Sequence, residues 1–81
     1  MNIFVSNLSV SAHKSHLKNL FSEFGKVRSI IVIRGYFSKK TDTSCWVVID
    51  NRADAENAIR NLDHSIFMEK TIGVSEAILL L

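Results

Sequence analysis

Two segments of helical periodicity set among four strand-like runs limit the architectures open to this chain more than any other feature. Residues 2–7 alternate, with Ile3 and Val5 on one side and Phe4 and Ser6 on the other, as a half-buried strand requires. Leu17, Leu20, Phe21 and Phe24 recur at helical spacing over about 13–24, with Lys14, Lys18, Asn19 and Ser22 between them. Gly25 stands where a C-terminal cap is expected, and Ser11 or His13 can begin the helix. Residues 27–34 and 44–50 are dense in Val and Ile, with a polar, basic loop at 35–43 between them. Asn51 is placed to cap a second helix over 52–62, whose inner stripe is Ala55, Ala58, Ile59 and Leu62. A turn at Asp63-His64-Ser65 leads to a last strand around 70–76. Two helices with one apolar stripe each can cover only one face of a four-stranded sheet. The residues on the other face therefore decide the function.

Composition narrows the classes. Eighty-one residues make one domain, 1–81, ending in an apolar tail at 77–81. The single Cys45 excludes an internal disulfide and a Cys-rich metal site, and a free thiol suits a reducing cytoplasm. The N-terminus has no signal-peptide pattern, and no run approaches the roughly 18 apolar residues of a membrane span. Ten Lys and Arg against eight Asp and Glu leave a net charge of +2, which permits an anionic partner without demanding one.

The chain resembles the RNA-recognition-motif (RRM) family over essentially its whole length. The family's first-strand hexapeptide (aliphatic, aromatic, aliphatic, any, Asn, Leu) is met in full by Ile3-Phe4-Val5-Ser6-Asn7-Leu8. The phrase from Leu17 to Val27 in the first helix, and Asp54-Ala55-Glu56-Asn57-Ala58-Ile59 in the second, look like the family too. As a free-standing domain it is similar to the small single-domain RRM proteins of bacteria. The resemblance implies an α+β, ferredoxin-like βαββαβ two-layer sandwich: a four-stranded antiparallel sheet with both helices on one face. It also implies binding of single-stranded RNA, with single-stranded DNA as a second possibility.

The third-strand octapeptide departs from the family. Its usual form is basic, Gly, aromatic, small, aromatic, aliphatic, any, aromatic. The aligned residues run from Asp42 to Ile49. Cys45, Trp46 and Val47 keep the small, aromatic and aliphatic positions, while Asp42, Thr43 and Ser44 replace the base, the Gly and the first aromatic. Alternation puts Phe4 and Trp46 on the same face, where each offers a flat π surface worth roughly 1–3 kcal/mol to a stacked base. The same face is expected to carry Ser6, Ile31, Ile33, Ser44, Val48, Thr71, Gly73 and Ser75, with no Lys or Arg among them. Ser6, Ser44 and Ser75 are candidates to read base edges. Arg28, Arg34, Lys39, Lys40 and Lys70 are the basic residues of the rim, with Arg34, Lys39, Lys40 and Lys70 the candidate phosphate partners; Tyr36 and Phe37 either stack on a nucleotide or anchor their loop. Two platforms and few phosphate contacts predict micromolar or weaker binding of low selectivity, with a shallow salt dependence.

Two other readings compete. An apolar, uncharged sheet face with the tail Ala77-Ile78-Leu79-Leu80-Leu81 also suits a protein partner or a homodimer. An enzyme or metal carrier on the same strand order fits poorly. The loop after the first strand, Leu8-Ser9-Val10-Ser11-Ala12, lacks the Gly-rich, Arg-bearing phosphate cradle. His13 and His16 lack a third ligand. No catalytic residue, metal or cofactor is expected.

Overall fold

In the computed structural model, residues 1–35 and 43–78 are described. The elements are β1 (Asn2–Ser6), α1 (Lys14–Ser22), β2 (Val27–Arg34), β3 (Thr43–Ile49), α2 (Arg52–Leu62), β4 (Ile66–Phe67), β5 (Lys70–Thr71) and β6 (Gly73–Glu76). β2, β3, β1 and β6 form, in that spatial order, an antiparallel four-stranded sheet. This is the expected βαββαβ sandwich with one addition: β4 and β5 pair separately as a small hairpin before β6. The last strand expected at 70–76 is therefore two strands. Lys70 and Thr71 belong to the hairpin, and only Gly73–Glu76 join the sheet.

Alternation sorts the sheet. Ile3, Val5, Ile30, Cys45, Val47, Ile49 and Val74 are buried together with Leu17 and Phe21 of α1 and Ala55, Ala58 and Leu62 of α2. Asn51 caps α2 as expected, its side-chain oxygen accepting from the Asp54 N–H at 2.9 Å. At the start of α1 the capping position falls to His13, whose backbone N–H donates to His16 Nδ1 at 2.9 Å.

Gly25 is not the left-handed cap that its position suggested. The capping residue is Glu23, in right-handed helical geometry, and Gly25 is absent from the positive-φ residues. Its lack of a side chain matters for another reason. A Cβ there would lie 2.6 Å from a carboxylate oxygen of Asp54, so glycine lets the turn between α1 and β2 pass close to the first turn of α2.

The sheet's two edges differ. Ala77 continues the pairing of β6, its N–H donating to Asn2 O at 2.8 Å, so the N–H of Val74 points away from β1. Asp63 accepts from that N–H at 2.9 Å. A carboxylate at the end of α2 thus blocks part of the edge of β6 against pairing with another chain.

Candidate nucleic-acid interface

The strand registers place the open face in rows. Ile31 lies opposite Trp46, Trp46 opposite Phe4, and Phe4 opposite Ser75, so one row crosses all four strands from β2 to β6. On one side of it runs Ser29, Val48 and Asn2; on the other, Ile33 pairs with Ser44 and Ser6 with Gly73. Asn2 and Ser29 thus join the face beyond the residues expected there, in phase with Phe4 and Ile31. A bulge between Val27 and Ser29 precedes this part of β2.

Phe4 and Trp46 are both half-buried, with ring centroids 5.3 Å apart and planes inclined at 62°. They lie on the face away from the helices, as expected, but not as two parallel platforms. A directly opposed cross-strand pair brings the rings into contact, and their quadrupoles favour the edge-to-face arrangement. When one ring presents its face to a base, the other presents mainly its edge.

The serines divide. Ser75 is exposed beside Phe4. Ser6 is half-buried above Gly73, where a Cβ would come within 2.6 Å of its hydroxyl oxygen; glycine opposite makes room for that hydroxyl. Ser44 is only 2% exposed, which removes it from the residues a strand can touch. Its short side chain stands between Ile33 across the strand pair and Trp46 two residues along.

The expected basic rim is also corrected. Arg34 turns to the helix side of the sheet, where its guanidinium donates to the carbonyls of Val10 and Ala12, both at 2.7 Å. A planar fork satisfies two carbonyls of one loop at once, so Arg34 fastens the β1–α1 connection and is not directed at a strand on the open face. Lys70, in the hairpin, is not part of the four-stranded sheet. Arg28 pairs with Asp50 at 3.2 Å. Tyr36, Lys39 and Lys40, with Phe37 and Asp42, lie outside the described residues, as do 79–81 of the tail. Within the tail's described part, Ala77 extends the sheet and Ile78 is 75% exposed.

Asn7, known from sequence only as part of the hexapeptide, shapes this corner. It adopts φ 59°, a left-handed conformation that asparagine tolerates better than most residues, and its amide donates to Thr71 O at 2.8 Å. The end of β1 is thereby tied to the hairpin. Among the described residues no group of three His, Cys, Asp or Glu could hold a metal ion, and no helix is long and apolar enough to cross a membrane.

Comparison with known proteins agrees with this geometry. The chain is 33% identical over 75 residues to the U11/U12 small nuclear ribonucleoprotein 31 kDa protein of Arabidopsis thaliana, covering 93% of this chain and 29% of that protein. It is 36% identical over 75 residues to the chloroplastic RNA-binding protein CP29B of the same plant, covering 93% of this chain and 26% of that protein. The chain thus spans less than a third of either relative. Among solved structures, RNA binding protein PG1 superposes with a TM-score of 0.86 at 28% identity, covering 100% of this chain and 98% of that one. Residues 3–73 match the RNA recognition motif, and the chain belongs to that family of binding domains.

Proposed function

We propose that this domain binds a few nucleotides of single-stranded RNA, or of single-stranded DNA, by stacking bases on Phe4 and Trp46. The observation that carries this reading is the aromatic pair at the centre of the open face, 5.3 Å between centroids, on the side of the sheet that neither helix covers. The family and the RNA-binding relatives support it. Ser75, and the half-buried Ser6, are the side chains beside the rings able to exchange hydrogen bonds with base edges. Lys39 and Lys40 are assigned to phosphate on their sequence position beside β3. With no charge among the described residues of the face, affinity is weak and base selectivity low. The free, buried Cys45 suits a cytoplasmic setting.

The test uses Trp46 as its own reporter. Short RNA and DNA oligomers should quench its fluorescence saturably in the wild type. Phe4→Ala should weaken binding by about 1–3 kcal/mol, or roughly 5- to 150-fold. Trp46→Ala, followed by anisotropy of a labelled oligomer, should do the same. Unchanged affinity in both variants would remove the stacking reading.

The exposure of Ile31 at 61% and Ile78 at 75% favours a second reading, a protein-interaction or self-association module using the sheet face and tail. An unresponsive Trp46, with an apparent mass that rises with concentration, would select it.

A further inference from the structure

The open face is divided between polar and apolar halves along the line between β1 and β3. On the β2–β3 side stand Ile31, Ile33 and Val48, with Ser29 and the buried Ser44. On the β1–β6 side stand Asn2, Ser6, Gly73 and Ser75 around Phe4. Trp46 sits at the boundary, with Ile31 directly across the strand pair on its apolar flank. At 61% exposure, Ile31 is the most exposed large apolar residue of the four-stranded sheet.

A pyrimidine has a matching asymmetry. Its Watson–Crick edge carries hydrogen-bonding groups, while its C5–C6 edge is apolar. Stacked on Trp46, a pyrimidine has its polar edge best accommodated toward Asn2, diagonal to Trp46 on the neighbouring strand, and its C5 edge toward Ile31. The reverse placement would leave the polar edge against isoleucine and remove water without replacing its hydrogen bonds. A methyl group on C5 would then bury itself against Ile31, an apolar contact of the kind by which proteins distinguish thymine.

We infer that Ile31 is a specificity-determining residue that favours pyrimidines methylated at C5, whether thymine in DNA or a 5-methylpyrimidine in RNA. The inference rests on the stacking reading given above. One buried methyl corresponds to about a fourfold gain in affinity.

Four oligomers of equal length separate the methyl from the sugar: oligo-uridine, oligo-5-methyluridine, oligo-deoxyuridine and oligo-thymidine. In the wild type, the methylated member of each pair should bind about fourfold tighter, with the same ratio on ribose and deoxyribose. Ile31→Thr keeps a β-branched residue at an exposed strand position, and the ratio should fall toward one. Ile31→Val should give an intermediate value. Because the readout is a ratio within each protein, a general change in affinity cancels. Equal binding of methylated and unmethylated oligomers by the wild type would overturn the inference while leaving stacking intact. A ratio that persists in Ile31→Thr would also overturn it. Failure of all four oligomers to bind the wild type would instead remove the stacking reading, and this inference with it.

Discussion

Cys45 shows what the inner layer of this sheet does to an ionisable group. Its side chain is buried among apolar neighbours, and loss of solvation pushes the thiol from an ordinary 9.0 up to about 12. Only the neutral thiol is compatible with the fold over most of the alkaline range. Below pH 9 both folded and unfolded chains keep the proton, and stability does not depend on this group. Between pH 9 and about 12 the unfolded chain releases the proton while the folded one retains it, so stability falls as pH rises, by at most about 1.4 kcal/mol per pH unit. Denaturant midpoints measured from pH 8 to 11 should therefore decline in the wild type. In Cys45→Ala, whose baseline is lowered by the lost packing, the decline should be shallower; parallel curves would show that Cys45 is not the titrating group. That Cys45 lies inside and Trp46 outside was legible from alternation along 44–50, as were the positions of Phe4, Ser6 and Ser75. The roles of Arg34 and Ser44 were not. Composition marks arginine as a candidate for phosphate, but two carbonyls of a distant loop decide where Arg34 goes, and no local pattern encodes them.

At the scale of elements, the hairpin of β4 and β5 is the part that periodicity could not reveal. Strands of two residues, Ile66–Phe67 and Lys70–Thr71, are too short to show a period, and the turn between them lacks the usual Asn-Gly signal. Met68 and Glu69 both adopt positive φ, 51° and 70°, the conformation of a two-residue hairpin turn that ordinary side chains disfavour. Met68 has a compensating role, since it packs against the apolar core beside Phe67 and Leu20. Glu69 is exposed and has no such compensation. Glu69→Gly should therefore stabilise the domain, by up to about 1 kcal/mol after the greater entropy of glycine in the unfolded chain is counted. A rise in the midpoint of thermal or urea unfolding would show it, and a fall would mean that the glutamate side chain contributes more than the turn costs. The longer elements were legible because their patterns extend over two turns or more. β2 and α2 begin and end at the expected residues, while β3 starts one residue earlier than its apolar run. Periodicity makes the final strand look continuous because Thr71, Ile72, Gly73 and Val74 alternate correctly through the point where the chain leaves the hairpin and enters the sheet.

Across the whole molecule, the disposition of charge suits the proposed stacking mode better than one that holds nucleic acid mainly through phosphate. Several of its cations are already engaged: Arg28 with Asp50, Arg52 with Glu56 and Glu76, and Arg34 with two carbonyls. Exposed surface pairs of this kind add little to stability, but they lower the positive potential available to a strand. The rows of the face itself are uncharged among the described residues. On the proposed reading, phosphate contact is left chiefly to Lys39 and Lys40. For a single strand each neutralised phosphate contributes about −0.7 to the slope of log K against log salt, so two lysines give about −1.4. Between 50 and 200 mM salt the affinity should fall only about sevenfold. Lys39→Ala/Lys40→Ala should flatten the slope toward zero while leaving stacking on Trp46 in place, visible as residual quenching at high oligomer concentration. A slope steeper than about −3 in the wild type would mean that cations on the helix side, such as Lys14 and Lys18, also engage the strand. The binding path would then run around the edge of the sheet instead of across it. A shallow slope that the double variant leaves unchanged would place the remaining phosphate contacts on other cations, and the binding energy on the aromatic row alone.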